Sequence, residues 1–219
     1  MKMRIEFMKG RSLLSLIMSF AIIATGSLSV LANSERYPTD AELNKLRRDF
    51  EKQIDSFQKT SRKDTPGINQ LRAFRSAWSK VDPGVVPFLG AYRALEEGKF
   101  IYPSNTKGRV CIIDTYLMGR GGSTAESNGI LFTVGSVSNG TIRTTNNHVF
   151  IQKGDYLGDT YVQKDEARLY GYNLIGSLKP PSVTHIPGFN INYLPDWVKQ
   201  EIIQKFKEAG CTASLPNRR

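Results

Sequence analysis

Two cysteines, two histidines and scattered carboxylates are the residues on which catalysis or metal binding in this 219-residue chain would rest. Cys111 and Cys211 belong to no CxxC pair, and His148 and His185 have 36 residues between them, which does not match the ligand spacing of structural zinc clusters. In an oxidising compartment the two cysteines pair most simply with each other. The alternative, a nucleophilic Cys111, needs a base and an activated thiolate, and neither cysteine lies in a recognisable nucleophile signature. Gly119-Arg120-Gly121-Gly122-Ser123-Thr124 offers backbone N–H groups to an anion, but it lacks the lysine and following helix of a phosphate loop. The loop from Gly119 to Gly129 reads as the binding end of a rigid scaffold, which makes Arg120 and Glu126 candidate ligand-binding residues. His148 is the third candidate. It opens a strand, shares a face with Phe150 and Gln152, and acts as a base if an acid lies beside it in space. Asp155, Asp159, Asp165 and Glu166 lack the alternating spacing of a calcium loop and read as solvated turn acids. No catalytic residue, metal site or cofactor is assigned.

The elements that must position these residues begin after an export signal. Lys2, Arg4, Lys9 and Arg11 form a basic start, Leu13 to Ala24 an apolar core, and Val30-Leu31-Ala32 a small-residue cleavage site. Residues 1–32 are read as a signal peptide, with an uncleaved anchor as the alternative. Removing their four basic and one acidic residues from a chain of net charge +10 leaves +7. That excess favours anionic partners, such as an acidic envelope polymer or lipid headgroups, rather than nucleic acid in an exported setting. The predicted location is secreted, periplasmic or cell-envelope, and no oligomeric state follows from the sequence.

Residues 33–82 are predicted to form a helical hairpin. Thr39 and Glu42 make a capping box before the stripe Leu43, Leu46, Phe50, Ile54 and Phe57, and Pro66 opens a second stripe of Ile68, Leu71, Phe74, Trp78 and Val81. Residues 83–219 form the second part, sharing one core with the hairpin. Strands are expected near 88–95, 100–102, 109–118, 130–138, 141–145, 148–152, 160–163 and 168–173. Asn139-Gly140 fits a type I′ turn, setting Val137 opposite Ile142 and, by extension, Leu131 opposite His148. Val110 to Met118 is apolar on both faces, as in a strand covered on both sides. A last helix begins near Pro195, with Val198, Ile202, Phe206 and Ala209 as its stripe, Trp197 and Ile203 widening it, and Gly210 ending it.

The resulting fold class is α+β: an N-terminal helical hairpin, an antiparallel meander forming a small barrel or curved sheet, and a C-terminal amphipathic helix. In outline the Gly90-Ala91-Tyr92 opening strand, the meander and the disulfide-tied tail helix look like a lipocalin-type barrel. The resemblance rests on element order over residues 88–211; the leading helices and short strands depart from it, and no binding residues follow from it. The function expected is an exported noncatalytic binding module for a small or amphipathic ligand or an anionic envelope polymer. The alternatives are an envelope hydrolase using dispersed residues such as His148, Asp114 or Glu126, and an assembly factor that docks a partner through its helical hairpin.

Overall fold

In the computed structural model, residues 34–57, 65–116 and 122–216 are described. The alternating segments of the C-terminal part pair in sequence order into a closed eight-stranded antiparallel barrel. Its strands are β1 (Gly90–Arg93), β2 (Glu97–Pro103), β3 (Arg109–Tyr116), β4 (Ile130–Ser138), β5 (Thr141–Thr144), β6 (Val149–Lys153), β7 (Tyr156–Gln163) and β8 (Glu166–Gly176), with β8 returning to pair with β1. Closure leaves no unpaired strand edge. The connections β1–β2, β3–β4, β5–β6 and β7–β8 lie at one end, here the upper, and the other three lie at the lower end.

The β4–β5 turn follows from Asn139-Gly140: both residues have positive φ, 49° and 68°, and Val137 faces Ile142. The pairing stops at Gly135–Thr144. Leu131 is therefore not opposite His148, because Thr144 to Asn147 turn the chain sharply, with the Thr144 N–H donating to the His148 carbonyl. Strand β3 has the expected two-sided burial. Val110 and Ile112 pack inside the barrel, while Cys111 and Ile113 face outward onto helix α3 (Asp196–Glu208).

Helix α1 (Asp40–Phe57) begins at the reciprocal capping box: the Thr39 N–H donates to the Glu42 carboxylate at 2.7 Å and the Glu42 N–H to Thr39 Oγ1 at 3.3 Å. Its Leu43, Phe50 and Ile54 pack on Val149, Ile151 and Tyr156 outside the barrel. Helix α2 (Thr65–Trp78) instead joins the interior cluster through Ile68, Leu71 and Trp78, beside Val85, Phe88 and Leu89. The two helices are present, but their apolar stripes bury in separate clusters against the barrel, so the expected hairpin packing is not what holds them. The capping box sets where α1 begins, and each helix's apolar stripe meets side chains of the closed sheet. Val81 lies beyond α2 and is exposed.

Helix α3 buries Val198, Ile202 and Phe206, with Ile203 half-buried; Trp197 is exposed and does not widen the stripe. Gly210, at φ 67°, ends it and hands the chain to Cys211, which is disulfide-bonded to Cys111 with Cα atoms 6.0 Å apart. In the chain-entropy treatment, closing a loop of this length stabilises by about 4–5 kcal/mol. The bond indicates an oxidising compartment, extracellular or periplasmic. No helix among the described residues is long and apolar enough to cross a membrane.

Candidate functional site in the upper barrel

Because side chains alternate along a strand, every second residue points into the barrel. In the lower half these positions hold Tyr92, Ile101, Val110, Ile112, Ile142, Leu157 and Leu174, all essentially inaccessible. Towards the upper end the same parity brings in Glu97 and Lys99 from β2, Asp114 from β3, His148 just before β6, Asp159 and Tyr161 from β7, and Tyr170 and Tyr172 from β8.

Four of these ionisable groups are almost sealed from solvent: Lys99 is 2% exposed, Asp114 5%, His148 2% and Asp159 0%. They form one network. Lys99 Nζ lies 2.9 Å from Asp114 Oδ1 and 3.0 Å from Asp159 Oδ2, and His148 Nδ1 lies 2.8 Å from Asp159 Oδ1. The Lys99 ammonium also sits 5.3 Å from the Phe150 ring centre and 5.1 Å from that of Tyr172, within cation–π range. His148 stacks on Tyr161 with ring centres 5.3 Å apart. Above this layer Tyr172 donates to Glu97 Oε2 at 2.5 Å, and Tyr170 packs edge-on to Tyr172. Glu97, Tyr161 and Tyr170 are only half-buried and form the rim.

The electrostatics follow from this enclosure. Burial opposes the charge on Lys99, but Asp114 and Asp159 outweigh it and hold the ammonium protonated above the usual lysine range. Burial also opposes ionisation of Asp159, yet His148 and Lys99 beside it pull its carboxyl below the ordinary value. Asp114 is raised, since desolvation exceeds the help from Lys99, and Glu97 is raised by burial despite its bond from Tyr172. His148 is raised because the Asp159 ion pair and hydrogen bond together overcome desolvation. Tyr161, raised first by burial and then by Asp159, stays a neutral phenol.

Of the residues singled out from the sequence, His148 and Asp114 come together in this network through Asp159 and Lys99. Glu126 sits in the 3₁₀ turn Glu126–Asn128 of the upper loop with its side chain exposed, and its backbone carbonyl accepts from the Tyr116 hydroxyl and the Gly129 N–H. Arg120 lies outside the described residues. Asp159 is not a solvated turn acid: its strand begins at Tyr156 rather than near Thr160, which carries its carboxylate inward. Lys99 and Glu97 lie outside the strand expected at 100–102, whereas β2 runs over Glu97–Pro103. The signal that finds them is parity: Glu97, Lys99 and Ile101 alternate, as do Val110, Ile112 and Asp114.

Comparison with protein-family models, curated proteins and solved structures finds no match for this chain. The side chains themselves therefore carry the functional reading.

Proposed function

We propose that this protein is an exported, noncatalytic binding module that holds a small ligand in the upper mouth of the barrel. The observation that supports this reading is the sealed Lys99–Asp114–Asp159–His148 layer directly beneath that mouth. Replacing buried ion pairs by apolar groups of similar volume is often neutral or stabilising, and the lower half of the same barrel is filled with apolar and aromatic side chains. A buried charged layer is thus weak evidence for stability, and a hydrogen-bonded polar network suits a preorganised floor for a ligand. The Glu97 carboxylate and the Tyr161 and Tyr170 hydroxyls at the rim offer polar contacts, and the tyrosine rings offer apolar faces, which suits a ligand with both characters.

The same geometry argues for binding over catalysis. Lys99 is held as an ammonium by two carboxylates and has no lone pair to offer as nucleophile or base. Asp159 is already engaged by Lys99 and His148. The hydrolase reading draws on one observation, the 2.8 Å His148–Asp159 contact, which is the orienting arrangement of a histidine base. Hydrolysis of an envelope polymer that disappears in a folded His148→Gln protein would favour it. The net charge supports an anionic polymer as a partner of the outer surface, testable by salt-sensitive retention on acidic polysaccharide.

Native mass spectrometry of the exported protein, purified without detergent, tests the binding reading. The expected spectrum carries a small-molecule adduct that is lost in Glu97→Gln/Tyr161→Ala. The same adduct in both proteins, or in neither, removes the barrel mouth as the site.

A further inference from the structure

Outside the barrel, at its lower end, the C-terminal end of α2, the β2–β3 connection and the C-terminal tail enclose a cavity of about 840 Å³, within the range of small-molecule sites. Trp78, Val81 and Leu215 supply its apolar lining, and Lys80 and Lys107 its charge. Val81 is 49% exposed and Leu215 62%, so two of the six large hydrophobic side chains left exposed among the described residues line this one cavity.

The polar groups of the cavity are divided into spent and available. Asp82 is buried and its carboxylate accepts from the Gly108 N–H at 2.6 Å, fixing the β2–β3 connection. The Trp78 indole N–H donates to the Ser214 carbonyl at 3.2 Å, holding the tail in place and leaving no indole donor for an occupant. Lys80 and Lys107 are exposed, and neither is ion-paired with a described residue. The strongest polar contacts left for an occupant are thus two ammonium groups beside an apolar floor. A peptide adding a strand has no edge to join here, because the barrel is closed.

We propose that this groove is a binding site for a single-chain amphiphile with a carboxylate head, its chain lying on Trp78, Val81 and Leu215 and its head between Lys80 and Lys107. The site is independent of the barrel mouth, so its failure leaves that reading untouched. The concave shape favours a monomeric ligand over adsorption to a membrane.

Decanoate below its micellar concentration is the probe, read by Trp78 fluorescence in a Trp197→Phe background. Saturable one-to-one binding is expected. Two exposed charge contacts removed by Lys80→Gln/Lys107→Gln should weaken it about tenfold, while 1-decanol should bind both proteins equally. Leu215→Asp should weaken both probes, with thermal melting confirming that each variant is folded. Non-saturating binding, equal decanoate affinity in the lysine variant, or a response confined to phosphatidylglycerol vesicles would overturn the proposal.

Discussion

The lower and upper halves of the barrel are built from the same strands at the same parity, yet they are filled by opposite chemistry. Below, Ile101, Ile112, Leu157 and Leu174 interlock with Phe88 and Leu89 under the cover of α2. Above, a step of two residues along β2, β3 and β7 replaces those side chains by Lys99, Asp114 and Asp159. Strand geometry thus decides which residues point inward but leaves open what they are. Packing accounts for the lower half, and in the proposed reading a bound molecule accounts for the upper.

The largest effect that separates the halves should come from breaking the upper network at its centre. Asp159→Ala leaves Lys99 and His148 buried without their shared partner and should destabilise by about 3–5 kcal/mol in urea unfolding. A loss under 1 kcal/mol would mean the network is not sealed. In the lower half, Ile112→Ala should cost about 2–4 kcal/mol through the cavity it leaves, while the adduct seen by native mass spectrometry persists. Loss of the adduct in that folded variant would erase the distinction between the halves.

Smaller effects sharpen the contrast. Tyr172→Phe removes the hydroxyl bonded to Glu97 and should destabilise by about 1–2 kcal/mol. It should also raise the Glu97 carboxyl further, because that bond favours the ionised form; an unchanged or lowered titration in carboxyl-detected NMR would contradict the contact. The smallest effect is a pH dependence. His148 is raised above its ordinary value of 6.5, so the stability it contributes is fully present below that value and is lost as pH rises through the folded-state value. Of its other charged neighbours, Asp114 favours the proton as Asp159 does, and Lys99 opposes it. Stability measured from pH 6 to 8 should therefore fall in the wild type and flatten in His148→Gln; parallel profiles would assign the slope elsewhere.

Much of this is legible in the sequence. The capping box at Thr39 and Glu42, the Asn139-Gly140 turn, the two-faced β3 and the Cys111–Cys211 pairing are set by local chemistry or by simple pairing, and the structure has each of them. The hairpin is not confirmed: two amphipathic stripes specify burial without specifying a partner, and those of α1 and α2 lie in separate clusters. Among the candidate residues, His148 and Asp114 stand out by type, but Asp159 reads as one of several turn acids and Lys99 lies just outside the strand expected at 100–102. Their meeting depends on the register of β2 with β3 and of β6 with β7, which no single segment encodes.

In the proposed reading the upper charged layer is kept for a ligand rather than for stability. That reading is tested most directly by replacing the layer as a unit, Lys99→Met/Asp114→Leu/Asp159→Leu/His148→Phe, and measuring urea unfolding together with the native mass spectrum. A folded barrel at least as stable as the wild type that no longer retains the adduct is expected. A folded variant several kcal/mol less stable that retains the adduct unchanged would contradict it.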